Sequence, residues 1–168
     1  MKEKLTALLN QKKNDRKFGF NVEYYSEKEE NPFQWKVLLE GTQGSIYEGG
    51  FYMLRVDFPI NYPASRPSVY FLNRIFHPHV DTGGEETGEE NKWNGYVCLD
   101  LKPDKYEIDW ILKSVKCMFK DYNKDINHAY PQKPREILKE NPDKFKEIAK
   151  DWVRKYAKMK DIDKYNDL

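Results

Sequence analysis

Between residues 20 and 72 apolar side chains recur with a period of two, and outside that stretch the period gives way to helical spacing or to none. Residues 20–25 are aromatic and β-branched, 34–40 alternate around Trp35, Val37 and Leu39, 51–58 alternate again, and 69–72 form a short fourth run. Asn31-Pro32 and Glu48-Gly49-Gly50 supply the turns, because proline, glycine and asparagine favour the backbone angles that turns need. Strands joined this closely pair antiparallel, since a parallel crossover needs about a dozen residues or more. The expectation is a four-stranded antiparallel meander.

Helical periodicity brackets the meander. Before it, Leu5, Leu8, Leu9 and the stem of Lys12 share a face over residues 2–13, with Asn14-Asp15 as a stop. After it, Ile111, Leu112, Val115, Met118, Phe119 and Tyr122 share a face over 108–122. Residues 134–139 read as a short helix. Residues 142–158 read as a longer one, with Asn141 as N-cap, Pro142 in the first turn, and a stripe of Phe145, Ile148, Ala149, Trp152 and Tyr156. The order helix, strands, helices defines an α+β class. We expect one domain over 1–158 and a charged tail, 159–168, that frays.

Composition narrows the function. A 39% hydrophobic and 15% aromatic content is enough for one core. Basic and acidic residues balance, 29 against 28, which argues against a nucleic-acid protein, usually marked by basic excess. No apolar stretch approaches a membrane span, and residues 1–13 lack the apolar centre of a signal peptide. Two cysteines, Cys98 and Cys117, are too few for a secreted disulfide scaffold. A reducing compartment, cytosolic or nuclear, is expected.

From residue 75 to 101 the chain carries no long periodic segment, but prolines, glycines, His77, His79 and the acidic run 85–90. A long irregular stretch within a compact domain is usually functional or disordered. Cys98 lies in it, after Asn94-Gly95 and between Val97 and Leu99. A thiolate is a nucleophile whose acyl product, a thioester, is readily released to amines. Taken alone, Cys98 reads first as a buried structural thiol, the commoner fate of a free cysteine. Cys117 reads the same way, off the main stripe of its helix.

Three ordered segments change the reading of Cys98. The first is Tyr47-Glu48-Gly49-Gly50 followed by Phe58-Pro59, Tyr62-Pro63 and Pro67. The second is His77-Pro78-His79, and the third is Asn94-Gly95-Tyr96-Val97-Cys98-Leu99-Asp100. Together with their flanking helices they resemble the ubiquitin-conjugating (E2) enzyme family, from the first helix to about Ala157. The resemblance implies the UBC-like fold: an N-terminal helix, a four-stranded meander, an active-site loop and C-terminal helices. It also implies an ATP-dependent pathway in which an activating enzyme (E1) passes ubiquitin or a ubiquitin-like protein to Cys98. A lysine amine then takes the modifier, with or without an E3 ligase. No cofactor is implied.

The same resemblance assigns further roles and exposes departures. His79 stands where the family has the asparagine of its His-Pro-Asn signature. A donor aimed at the developing oxyanion lowers the barrier, and neutral imidazole offers one N–H where an amide offers two. His79 is compatible with donating to the oxyanion, with bracing the loop, or with neither. Residues 81–93 are an acidic insertion relative to the family, holding Asp81, Glu85, Glu86, Glu89 and Glu90. They form either a solvated loop or a flap that attracts basic groups. Asn123 and Asp125 best match the family's lysine gate, with Asn127 as the alternative register. Lys2 and Lys4 match the docking helix for the activating enzyme. Pro63 and Ala64 match the ligase-docking loop, where many relatives carry a larger apolar residue than Ala64. Tyr106 or Trp110 replaces the tryptophan expected after the cysteine. Two histidines and a cysteine lack a fourth ligand at metal-like spacing, so no metal is expected. A second reading keeps the fold without the chemistry: a non-catalytic variant that binds ubiquitin. Such variants usually lack the cysteine.

Overall fold

The computed structural model describes residues 1–13, 20–24, 31–84 and 92–162. The expected strand residue Tyr25, the stop at Asn14-Asp15 and the acidic run 85–90 fall outside them. Helix α1 spans Lys2–Lys13, and the strands are β1 (Phe20–Tyr24), β2 (Gln34–Glu40), β3 (Phe51–Asp57) and β4 (Ser68–Phe71). Helices α2 (Ile108–Met118), α3 (Lys133–Glu140) and α4 (Pro142–Tyr156) follow. The strands form one antiparallel sheet in sequence order. This is the UBC-like α+β arrangement that the sequence led us to expect.

The period of two decides which face is buried. Trp35, Val37 and Leu39 of β2, Tyr52, Leu54 and Val56 of β3, and Val69 and Phe71 of β4 are all buried. Register keeps them in rows across the sheet, Val37 opposite Leu54 and Val56 opposite Val69, because side chains of paired strands point the same way at each rung. Against this face lie Ile111, Leu112 and Val115 of α2 and Phe119 just beyond it. Phe119 stacks on Tyr52 with ring centroids 5.2 Å apart. Leu5 and Leu9 of α1 are buried, and Lys12 ties that helix to the first turn of α2, its Nζ 2.6 Å from the Asp109 carboxylate.

Two helix ends differ from the sequence expectation. Helix α2 stops at Met118 rather than at residue 122. The chain tightens there into three-residue bonds, Phe119 N–H to Lys116 O and Lys120 N–H to Cys117 O, which keep Phe119 facing the core. Helix α4 ends at Tyr156. Its Asn141 cap accepts from Lys144 N–H at 3.0 Å, as the sequence suggested. Its C-terminal end is docked by the Asn73 amide, which donates to Tyr156 O and Phe51 O. Of the tail expected to fray, residues 163–168 lie outside the described residues. Met159–Asp161 form a 3-10 turn, and Ile162 is only 3% exposed, an apolar anchor hidden among charged neighbours in the sequence.

Candidate active site at Cys98

The segment that looked irregular in sequence is organised by backbone pairing. Residues 95–98 run between β4 and residues 79–81. On one side Phe71 N–H donates to Gly95 O (2.8 Å) and Val97 N–H to Val69 O (2.9 Å). On the other, Cys98 N–H donates to His79 O (2.9 Å), Asp81 N–H to Tyr96 O (2.8 Å) and Gly95 N–H to Asp81 O (2.7 Å). The alternation of a strand follows: Val97 and Leu99 are buried and Cys98 between them is exposed. The burial expected of a free cysteine is therefore not what this thiol has. Arg66, from the proline-rich loop, clamps the far end by donating to Leu99 O and, at 3.0 Å, to the Tyr96 hydroxyl.

Cys98 opens onto a hollow of about 370 Å³ whose rim carries His79, Asp100, Trp110, Lys113, Cys117, Asp121, Lys124 and Asp125. Asp125 thus reaches the cysteine's hollow, in a left-handed turn at φ 51°. Asn123 does not. It opens onto a separate hollow with Ile126, Leu138 and Lys146, and Asn127 is drawn away by the Lys139 ammonium at 2.8 Å. The chain turns sharply through these residues, so that neighbours in sequence face opposite sides. Cys117, expected to be structural, is exposed on the same rim. Of the two aromatic candidates, Trp110 lines the hollow at 39% exposed, with Lys105 Nζ 4.0 Å from its ring centre; Tyr106 lines no part of it.

The two histidines are held differently. His77 is buried, accepts from His79 N–H at Nδ1 (3.1 Å), and has Nε2 3.1 Å from Met118 O. A carbonyl only accepts, so Nε2 bears the proton and the ring is neutral. Burial, which outweighs the bond to Met118, pulls its pKa down from the ordinary 6.5 to about 3, in keeping with that tautomer. His79 has Nε2 2.8 Å from Lys124 O. The same reasoning places its proton on Nε2, and in the neutral ring the single N–H is spent on a backbone carbonyl.

The stems of the acidic insertion are pinned. Asp81 accepts from Gly83 N–H, from the Asn94 amide and from the Gln132 amide. Buried Thr82 donates through both N–H and Oγ1 to Gln132 Oε1. Trp93 Nε1–H donates to Phe71 O at 2.8 Å. A Cβ on Gly83 would stand 1.6 Å from Lys92 O, so only glycine lets the two stems touch. A further residue near the thiol, missed in the sequence because it sits in no periodic element, is Tyr130. Its N–H donates to Pro78 O at 3.2 Å. Burial first, then the proximity of Cys98, Asp81 and Tyr96, push its phenol up, so it stays protonated.

The docking candidates are presented outward. Lys2 and Lys4 are exposed on α1. Pro63 and Ala64 are exposed on a loop whose Tyr62 is buried against Phe58 and accepts from Ile108 N–H at the start of α2. Ile60 on the same loop is 81% exposed. Among the described residues no three His, Cys, Asp or Glu side chains gather as metal ligands.

Residues 4–153 match the family model described as ubiquitin-conjugating enzyme. Among solved structures, the chain is similar to a ubiquitin conjugating enzyme E2 domain of Toxoplasma gondii, with a TM-score of 0.73 and 23% identity over 93% of this chain and 98% of that one. It is also similar to a putative ubiquitin conjugating enzyme of Plasmodium yoelii, with a TM-score of 0.74 and 23% identity over 93% and 94% of the two chains. At that identity the structures speak for the fold, and the sequence model speaks for the family.

Proposed function

The chain belongs to the ubiquitin-conjugating enzyme family, and from that premise we propose that it is an active member carrying ubiquitin or a ubiquitin-like protein as a thioester on Cys98. One observation carries the reading: Cys98 is exposed between two buried neighbours, at the edge of a hollow lined by Asp100, Asp121 and Asp125. The activated modifier arrives as a thioester, and Cys98 thiolate takes its carbonyl by exchange. A lysine then attacks. The carboxylates favour its approach as an ammonium, and it must lose its proton before the carbon–nitrogen bond forms. The phenol of Tyr130, kept protonated by burial, is a donor near Cys98. Lys2 and Lys4 serve the activating enzyme. Pro63, Ala64 and the protruding Ile60 serve a ligase. We place the reaction in a reducing compartment, cytosolic or nuclear, where both thiols stay free.

The test is charging. The protein is incubated with ATP and matched pairs of activating enzyme and modifier, and read on non-reducing gels. A reductant-sensitive adduct should form with one pair, vanish in Cys98→Ala and persist in Cys117→Ala. Because Cys117 shares the hollow, both variants are needed. An adduct that survives Cys98→Ala would overturn the assignment. The absence of any adduct, with ubiquitin still bound in a pull-down, would favour the non-catalytic reading.

A further inference from the structure

The backbone pairing between the cysteine segment and β4 runs out just where the thiol is presented. Tyr70 and Tyr96 pair antiparallel, and Val97 N–H donates to Val69 O at 2.9 Å. Continuing that register sets Pro67 opposite Leu99, and proline has no N–H to give. Its neighbour Arg66 supplies donors from a side chain instead. One arm of the guanidinium donates to Leu99 O, the other to the Tyr96 hydroxyl at 3.0 Å. The fork thus grips the segment two residues before Cys98 and one residue after it. Tyr96 is a firm anchor for that grip. Its ring centre lies 5.3 Å from that of Tyr70, and Tyr70 carries the Arg55 guanidinium 4.3 Å above its own ring centre. On the opposite side of the segment, Cys98 N–H is held by His79 O at 2.9 Å. Neither Arg66 nor Tyr96 lines the hollow beside the thiol, so the fork holds the segment from outside the space that a reacting group would enter.

Resting on the conjugating-enzyme reading, we propose that Arg66 is a positioning residue, a two-point clamp that aims the Cys98 sulfur at the incoming thioester. In charging, the Cys98 thiolate attacks the modifier's carbonyl and a new carbon–sulfur bond forms. The bond to the activating enzyme's sulfur breaks, with its electron pair leaving on that sulfur. Such an attack is fast only from a narrow range of orientations, and the peptide groups on either side of Cys98 set the orientation here. Arginine suits the task. Its planar fork holds two oxygens at a fixed spacing, where a lysine ammonium is a point charge on a flexible stem.

The experiment measures single-turnover transfer from charged activating enzyme to the full chain over a range of chain concentrations. Beside it run thermal melts and alkylation of Cys98 by iodoacetamide, followed by peptide mass spectrometry. Arg66→Ala should lower the transfer rate at saturation by about tenfold to a hundredfold, the scale for a misplaced reacting group, with the half-saturating concentration unchanged. Alkylation, which a small reagent achieves from many directions, should be nearly unchanged. Arg66→Lys should recover part of the rate. Tyr96→Phe keeps the ring beside Tyr70 and removes one grip, so it should lose part of the rate on its own and nothing further when added to Arg66→Ala. Full-speed transfer in Arg66→Ala, a change confined to the half-saturating concentration, or additive losses in the double variant would each overturn the proposal. So would transfer and alkylation falling together with the melting temperature, the mark of a merely structural role. All four outcomes leave the conjugating reading intact. If the unaltered chain forms no thioester with ubiquitin or any other modifier of the charging panel, the conjugating reading falls and this proposal with it.

Discussion

His79 is where a single side chain departs most from the family pattern, and its hydrogen bond argues for one role among those open. The neutral ring has one N–H, and Lys124 O takes it at 2.8 Å, so the donor points at the turn holding Lys124 and Asp125 rather than at a substrate oxygen. In this geometry His79 is a brace between the Cys98 segment and the Asp125 turn. His79→Ala should therefore lower melting temperature, with a loss of about 1 kcal/mol for one net hydrogen bond. It should impair charging and discharge together, and His79→Gln should recover part of both. Thermal melts alongside single-turnover charging and lysine discharge test this. A variant of normal stability whose discharge alone slows by about tenfold or more, the scale for losing an oxyanion donor, would return the residue to direct chemistry. The choice of histidine at this position was legible in sequence. Which atom its proton serves was not, because that depends on a carbonyl 45 residues away.

At the scale of elements, the helices and the meander followed from period and caps, while the short strand that presents Cys98 did not. Residues 95–98 are too few to show alternation. Their pairing with residues 69–71 and 79–81 is long-range, so no local pattern announces it. The cost of disturbing that pairing is predictable. Gly95 has φ 74°, a conformation that L side chains rarely adopt. A Cβ there would lie 2.1 Å from Phe71 O. Gly95→Ala should thus cost roughly 1–3 kcal/mol for backbone strain alone, with a further penalty from parting the strand from β4. The expected outcome is a lowered melting temperature and slower thioester formation, with the Cys98 thiol labelled by iodoacetamide at an altered rate. An unchanged melting temperature and charging rate would show that the segment does not depend on this close approach.

The whole molecule is set by one amphipathic sheet and the helices that close its buried face, and its site lies where the last strand meets a loop rich in charge. The insertion is best tested at this scale. Its stems are pinned by Asp81, Thr82, Gln132, Asn94 and Trp93, so trimming must stop inside them. Replacing residues 85–91 by a short glycine linker should leave the melting temperature nearly unchanged. If Glu85, Glu86, Glu89 and Glu90 attract basic partners, the trimmed chain should discharge to lysine more slowly at low salt. The difference should shrink toward physiological ionic strength, where the Debye length is roughly 8 Å. Equal rates at every salt concentration would make the run a solvated linker. The sequence by itself determined the α+β class, the order of the elements, the buried face of the sheet and the cysteine on which the reading rests. Periodicity, caps and ordered motifs are local, and each residue carries its own share of that information. Only the tertiary structure decided that Cys98 and Cys117 share a hollow, that Asp125 enters it while Asn123 turns away, and that Ile162 anchors the tail. Each of those depends on where distant backbone groups find their hydrogen-bond partners and where a lone apolar side chain finds a surface to cover, and neither is written in the spacing of residues along the chain.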